Sequence, residues 1–211
     1  MGRDEEPRPA ARRGWLPGIV LDDLRRKALW CYRSDRWKAV VKVLLTDGTM
    51  AMLLYRLMQW SRRYRLVPLE MIFNKLNTTF CNCIIGRGAE FGPGFVLIHS
   101  TGVVINGYVR GGANIHVYHQ VTIGGDWRGS PRLGDDVFIG AGAKILGPVT
   151  IGDGAKIGAN AVVLHDIPPH VTVVGIPAQI VKRRSPDAMH EDASGGPESS
   201  GADDADPRAL A

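Results

Sequence analysis

The amino-acid sequence predicts a mainly β protein in which a β-solenoid follows a small α-helical region. Two observations support this prediction. Between residues 20 and 80 the apolar residues are spaced as on amphipathic helices, whereas after residue 84 they recur at every sixth position. A six-residue period fits neither an amphipathic helix nor a hairpin sheet, but it is typical of a solenoid coil in which each hexad forms one short, flat side.

Both ends of the 211-residue chain have the composition of disordered tails. Residues 185–211 contain seven acidic residues and one basic residue, among serines, glycines and prolines that cannot bury enough apolar surface to offset chain entropy. We therefore predict a disordered tail at 1–18, an α-helical region at 19–80, a solenoid domain at 81–184 and a disordered acidic tail at 185–211.

Composition also limits the partners of the protein. The longest apolar-rich region, residues 39–60, is interrupted by Lys42, Asp47, Gly48 and Arg56, so we predict no membrane span. The formal net charge of +5 does not by itself distinguish a phosphate-rich cofactor, a nucleic acid or an anionic lipid from a merely solvated basic surface. We expect no nucleic-acid partner.

The cysteines indicate a reducing environment. Cys31, Cys81 and Cys83 are odd in number and follow no secretory leader, so we expect no disulfide framework and a cytoplasmic location. The pair in "CNC" has no second pair to complete a metal site, which favours a core or capping role. We predict no bound metal.

Three apolar stripes predict three helices whose faces pack against other parts of the protein or against another subunit. The third stripe begins at Pro68, a residue favoured in the first turn of a helix. The stripes consist of Leu21, Leu24 and Ala28, of Met50, Leu53, Leu54, Leu57 and Met58, and of Leu69, Ile72, Phe73 and Leu76.

Fourteen consecutive positions of the hexad frame are hydrophobic, and we expect their side chains to fill the solenoid interior together with small residues four places later. Glycines would allow tight or left-handed corners between the sides. The frame consists of Ile85, Phe91, Leu97, Val103, Val109, Ile115, Val121, Trp127, Leu133, Ile139, Ile145, Ile151, Ile157 and Val163.

The units "IGAGAK", "ILGPVT", "IGDGAK" and "IGANAV" resemble those of the hexapeptide-repeat transferases. That resemblance implies a left-handed parallel β-helix with a triangular cross-section and three hexads in each coil. Several stretches are more specifically similar to serine O-acetyltransferases and their shorter relatives from polysaccharide gene clusters: "IHSTGVVIN", "VTIGG", "VVGIPAQIV" and, in the helical region, "LLTDGTMAMLLYRLMQW". They imply acyl transfer from acetyl-CoA to a hydroxyl group.

His99 is the candidate general base. In the serine acetyltransferase family the histidine at this position removes the proton of the acceptor hydroxyl, and imidazole suits this task because it titrates near neutral pH. The alternative is a half-buried histidine of a strand. Since Leu97 takes the inward position, we expect His99 to face outward at a corner, with residue 117 stacked beside it one coil later, His116 and His119 nearby, and His119 in an inward slot.

At several positions that align with functional residues of the serine enzymes, this chain has a different residue. Ile84 and Ile98 stand where the family has carboxylates, and Ser130 stands where it has a second active-site histidine. Asn106 ends "VVIN" where the family often has glutamate. A carboxylate that orients the base is therefore missing from its expected place, and a backbone carbonyl, Asn82 or another subunit are the alternatives to it. Asn106 and His119 remain our candidates for contact with the acceptor.

The resemblance places small residues along the pantetheine arm of acetyl-CoA, although small residues also satisfy the geometry of the coil. These residues are Gly124, Gly125, Gly140, Ala141, Gly158 and Ala159. Lys182 is the candidate partner of the CoA 3′-phosphate, with a solvated basic end as the alternative. A zinc site formed by His99, His116 and His119, as in proteins resembling γ-class carbonic anhydrases, is a further alternative.

We therefore predict an acetyl-CoA-dependent O-acetyltransferase that acts on L-serine or a similar small acceptor, by direct attack and without an acyl-enzyme. The alternatives are an acceptor that is a sugar or polysaccharide precursor, and a non-catalytic hexapeptide-repeat scaffold. Because the ends and flat faces of a solenoid must be covered, and family sites form between neighbouring subunits, we expect a homotrimer or a larger homo-oligomer.

Overall fold

A computed structural model of the chain describes residues 16–183, so the predictions for the two tails lie almost entirely outside the described residues. Within this range, four helices precede a left-handed parallel β-helix of about five coils. No helix within this range combines the length and the apolar character that crossing a bilayer requires.

The helices are α1 (Leu16–Tyr32), α2 (Trp37–Val43), α3 (Thr49–Arg63) and α4 (Val67–Cys81). Helices α1, α3 and α4 correspond to the three predicted stripes, whereas the short helix α2 was not predicted. Pro68 lies in the first turn of α4, as expected, and Asn82 ends that helix in a left-handed conformation. Met50 and Ile72 belong to predicted packing stripes but are more than half exposed.

In the described part of the chain, fifteen short strands follow the helices, and most of them consist of two or three residues. They are β1 (Cys83–Ile85), β2 (Glu90–Phe91), β3 (Val96–Leu97), β4 (Val103–Ile105), β5 (Arg110–Gly111), β6 (His116–Val117), β7 (Thr122–Gly124), β8 (Arg132–Leu133), β9 (Phe138–Ile139), β10 (Lys144–Leu146), β11 (Thr150–Ile151), β12 (Lys156–Ile157), β13 (Val162–Val163), β14 (Val171–Val174) and β15 (Gln179–Arg183).

These strands stack into three sheets that form the three sides of the solenoid. Sheet A has the order β1-β4-β7-β10-β13, sheet B the order β11-β8-β5-β2, and sheet C the order β15-β14-β12-β9-β6-β3. All of the pairings are parallel except the one between β14 and β15. The chain passes from sheet A to B to C in every coil, so the corner between sheets C and A and the corner between sheets A and B run along opposite edges of sheet A.

The coils are not of uniform length. Sheet A pairs Cys83 with Val103 and Val104 with Thr122, so the first coil carries two residues more than the second. These additional residues lie in the corner between β3 and β4. The pairing of Thr122 with Lys144 gives the third coil four residues more than the second, and these lie in the loop between β7 and β8. The fourth coil has the length of the second.

The hexad frame is therefore shifted, and the expectation of one unbroken frame is wrong. Val103 pairs with Cys83 and not with Ile85, so the frame moves by two residues after Leu97. Nearly all of its members still face the interior, because alternate residues of a strand point to the same side. Trp127 is the exception. It lies in the loop between β7 and β8 with 93% of its surface exposed.

An ion pair joins the helical region to the first coil. The carboxylate of Asp23 in α1 accepts hydrogen bonds from Arg56 in α3, at 2.7 Å from Nε and 3.0 Å from Nη2. Arg56 also donates to the carbonyl oxygens of Phe91 and Gly92, and the backbone N–H of Phe95 donates to Asp23. Both charged side chains are 2% exposed, so this network fixes α1 and α3 against the start of the solenoid.

Candidate active site

His99 lies in the longer corner that joins β3 to β4. Its side chain is 48% exposed, as expected for a residue that faces outward. Leu97, two residues earlier, is fully buried. The imidazole therefore lies on the outside of the corner, while the residue two places before it fills the interior.

A carboxylate does meet the imidazole, and it comes from the helical region. Oδ2 of Asp47, in the connection between α2 and α3, lies 3.0 Å from Nδ1 of His99. Oδ1 of Asp47 accepts a hydrogen bond of 2.8 Å from the backbone N–H of Gly48. This pairing places the proton of a neutral imidazole on Nδ1 and leaves the lone pair of Nε2 available as a base.

Asp47 was not predicted from the sequence, which offered only a backbone carbonyl, Asn82 or another subunit in place of the missing carboxylate. Ile98 is buried, and Ile84 lies on the outer face of sheet A. The available signal was the Asp-Gly pair in "LLTDGTM", which indicates a turn between two helices in a segment already similar to the serine enzymes. Nothing in that segment indicates which solenoid residue it contacts.

His119 stacks beside His99, and the expectation that residue 117 would do so is wrong. Because the first coil is two residues longer than the second, Leu97 pairs with Val117, which brings His119 to the position after His99 along the corner. The two imidazole ring centroids are 5.7 Å apart, and the rings meet edge to face. His119 is partly exposed at this corner and does not occupy the inward slot that we expected.

Tyr118 completes the group of rings around the base and was not predicted from the sequence. Its ring centroid lies 6.3 Å from that of His99 in an edge-on arrangement, and 5.5 Å from that of Phe138. The candidate base therefore has a carboxylate on one side and two rings, Tyr118 and His119, on the side of the next coil.

Small residues continue the same corner in the following coils. The register of sheet C places Gly140 and Gly158 in line with Tyr118, and Ala141 and Ala159 in line with His119. A Cβ atom at Gly140 would lie 2.7 Å from the backbone nitrogen of Ala159, so close stacking of the coils itself requires glycine there. The result is a path with little side-chain bulk that runs along the corner from the candidate base, which we call the groove.

Four other predicted positions lie on the opposite edge of sheet A, at the corner between sheets A and B. They are Asn106, Gly124, Gly125 and Ser130. The hydroxyl of Ser130 donates to Oδ1 of Asn106 over 3.2 Å, and the backbone N–H of Tyr108 donates to the same oxygen. Within one chain, the structure does not bring Asn106 together with His99.

Lys182 lies at the end of the solenoid. It belongs to β15, which pairs with β14, where Lys182 stands opposite Thr172. Its side chain is exposed. Its strand is the last one of sheet C, and the groove runs along the corner between sheets C and A.

His116 is a structural residue that α1 covers. Its ring lies on the outer face of sheet C under Trp30 of α1, with the ring centroids 4.8 Å apart, and its Nε2 atom is buried without a hydrogen-bond partner among residues 16–183. Burial, aided by the charge of Arg26, lowers the pKa of His116 to about 4. Its ring is therefore neutral at neutral pH and separate from the rings at the corner.

The cysteine thiols are not activated. Burial raises the pKa of Cys83 to about 12, with a smaller contribution from Cys81. Burial also raises the pKa of Cys81, where the Asp47 charge acts in the same direction, and that of Cys31, where Lys27 opposes it. Because the thiolate is the nucleophilic form, these shifts disfavour an acyl-cysteine intermediate.

The zinc alternative is not supported by the described geometry. His99 and His119 share the corner, but His116 lies beneath a helix on another face of the coil. Residues 16–183 contain no group of three or more histidine, cysteine, aspartate or glutamate side chains placed to hold a metal ion.

Comparisons with known proteins match the repeat and most of the chain. Residues 130–165 match the family described as bacterial transferase hexapeptide (six repeats). The serine acetyltransferase of Bacillus pumilus is 37% identical over 164 residues, which cover 74% of this chain and 76% of the relative.

Two solved structures are similar to this chain at about one third sequence identity. The serine acetyltransferase of Neisseria gonorrhoeae in complex with serine has a TM-score of 0.70 and 34% identity, over 78% of this chain and 68% of the other. The serine acetyltransferase of Brucella abortus in complex with coenzyme A has a TM-score of 0.71 and 30% identity, over 80% of this chain and 68% of the other.

Proposed function

Because this chain belongs to the serine acetyltransferase family, we propose that it transfers the acetyl group of acetyl-CoA to the hydroxyl of L-serine, with His99 as the general base. It is an acyltransferase that uses acetyl-CoA as the donor. The observation that supports the site assignment best is the 3.0 Å contact between Nδ1 of His99 and Oδ2 of Asp47. It provides the orienting carboxylate that the neighbouring residues of the solenoid lack.

The chemistry proceeds by direct attack. Nε2 of His99 removes the proton of the serine hydroxyl as that oxygen attacks the thioester carbonyl carbon, and the bond to the CoA sulfur then breaks. Asp47 is a positioning residue, since it fixes the tautomer and the ring orientation and stabilises the imidazolium that forms. The imidazolium can return its proton to the departing thiolate, so the base is regenerated in every cycle.

The groove along the corner is the proposed path of the pantetheine arm. Gly140, Ala141, Gly158 and Ala159 line it in the coils that follow His119, and their small side chains leave room for an extended chain. Lys182 at the end of the solenoid is the proposed partner of the CoA 3′-phosphate, because an ammonium group donates charge-assisted hydrogen bonds to phosphate. In this orientation the thioester lies near His99.

We expect free CoA to be released when the enzyme receives acetyl-CoA and L-serine, at a rate of about 1 s⁻¹ or faster. A thiol-detecting assay measures the release, and mass spectrometry identifies the acetylated product. A panel of sugars serves as the comparison set. Turnover of a sugar but not of L-serine would contradict the proposed acceptor, and binding of acetyl-CoA without turnover of any acceptor would indicate a scaffold.

We also propose that the enzyme is a cytoplasmic homotrimer. Asn106 and Ser130 lie on the edge of sheet A opposite His99, so only a second copy could bring them to the base. The outer face of that sheet exposes Ile84 and Val104, which stand side by side on β1 and β4 and would be covered by a neighbour. Light scattering should give three times the 23.0 kDa mass of the chain, and the mass of a single chain at micromolar concentration would contradict the proposal.

A further inference from the structure

A fully buried lysine lies beneath the loop that carries Asp47. Lys27 of α1 has 0% of its surface exposed, and its ammonium group donates a hydrogen bond to the backbone carbonyl oxygen of Asp47. The side chain therefore cannot reach a substrate in the groove. Its contact is with the main chain of Asp47, whose carboxylate meets His99.

Burying the ammonium group of Lys27 costs free energy of folding, because the charge is removed from water. Burial lowers the pKa of Lys27 to about 8, and the nearby Cys31 and Asp47 oppose that change. Cys31 lies on the same helix and Asp47 on the facing loop. A methionine would fill the same space without the cost of removing an ammonium group from water.

The loop above Lys27 is fixed on its other side by the solenoid. Gly48 adopts a left-handed conformation with φ of 77°, and a Cβ atom there would collide with the carbonyl oxygen of Leu97. Thr46 and Thr49 both donate their hydroxyl hydrogens to the carbonyl oxygen of Val43, at 2.7 Å each. The Asp47 backbone is thus held between α1 and the end of strand β3, two residues before His99.

We propose that Lys27 is a positioning residue for acetyl transfer: it fixes the backbone of Asp47, and through the Asp47 carboxylate it orients the imidazole of His99. This inference rests on the proposed function. The order of contacts is Lys27 to the Asp47 carbonyl, Asp47 Oδ2 to His99 Nδ1, and His99 Nε2 to the acceptor hydroxyl. A displacement of about 1 Å at the second contact is enough to reduce a rate by about a hundredfold.

The test is Lys27→Met, which keeps the apolar stem and removes the donor. We expect kcat with L-serine to fall by about tenfold to a hundredfold, whereas KM for acetyl-CoA changes less than about threefold, because the groove is not altered. Backbone amides of residues 46–49 should exchange with deuterium faster. The matched control is Lys42→Met, an exposed lysine of α2, for which both quantities should equal those of the wild type.

Two measures keep the test decisive. If Lys27→Met fails to fold, Gly48→Ala takes its place. This substitution disturbs the same loop from the side of the solenoid and should lower kcat to a similar extent. Deuterium exchange requires no turnover, so a wild-type enzyme that does not acetylate L-serine contradicts the proposed function and not the role of Lys27 in the loop. A Lys27→Met enzyme with a kcat within twofold of wild type, or with unchanged exchange at residues 46–49, overturns the inference.

Discussion

We expect the His99→Ala enzyme to lose a factor of about 10² to 10⁴ in kcat/KM for acetyl transfer to L-serine, the range that a positioned general base contributes. A neutral hydroxyl is a weak nucleophile, and alanine leaves only water to accept its proton. KM for acetyl-CoA should change little, because the groove of small residues remains. The measurement is steady-state release of CoA at neutral pH.

The matched control for this substitution is His165→Ala. His165 is an exposed histidine that follows strand β13, at the far end of the solenoid from the base. Its replacement should leave kcat/KM unchanged. If His99→Ala retained more than about one tenth of the wild-type kcat/KM, a role for His99 as the base would be excluded.

The second large effect concerns stability. Asp23→Asn should lower the free energy of unfolding by about 3–5 kcal/mol, because it leaves the Arg56 guanidinium buried without its countercharge. Arginine cannot relieve this cost by losing a proton. Burial raises the pKa of Asp23, so in the reverse variant, Arg56→Met, the remaining carboxyl can become neutral. We therefore expect Arg56→Met to cost less than Asp23→Asn.

Denaturant unfolding at neutral pH measures both costs. Glu90→Gln serves as the control, since Glu90 and Arg110 form an exposed pair with 3.6 Å between Oε2 and Nε, and such pairs contribute little. Its unfolding midpoint should lie close to that of the wild type. An Asp23→Asn protein within about 1 kcal/mol of the wild type would show that the network does not hold the helices to the solenoid.

The solenoid could be predicted from the sequence because every coil buries equivalent positions, so apolar residues recur at a short, regular interval. The irregular lengths of its coils could not be predicted. The frame moves by two residues after Leu97, yet the new positions are also inward, so hydrophobicity stays continuous through the shift. The shift nevertheless decides that His119, and not residue 117, stacks beside His99.

Trp127 shows the opposite failure. It falls in the hexad frame by spacing alone, but the loop between β7 and β8 makes that coil longer than its neighbours and carries the indole into solvent. A six-residue pattern cannot distinguish an inward-facing residue of the solenoid from an apolar loop residue that falls at the same spacing.

The candidate site was predictable as far as its local pattern extends. His99 follows from its motif and from the burial of Leu97. Asp47 lies 52 residues earlier in the chain, and its contact with His99 depends on how the helices dock against the first coil. Such docking depends on long-range contacts like that of Asp23 with Arg56, and the local spacing of residues in the sequence does not predict these contacts.

The most direct test of the account is a cycle of kcat/KM measurements with L-serine on the wild type, Asp47→Asn, His99→Ala and the double variant. If Asp47 acts only through His99, Asp47→Asn alone lowers kcat/KM, and it has no further effect once His99 is alanine. Losses that simply multiply in the double variant, or an Asp47→Asn enzyme as active as the wild type, would contradict the account.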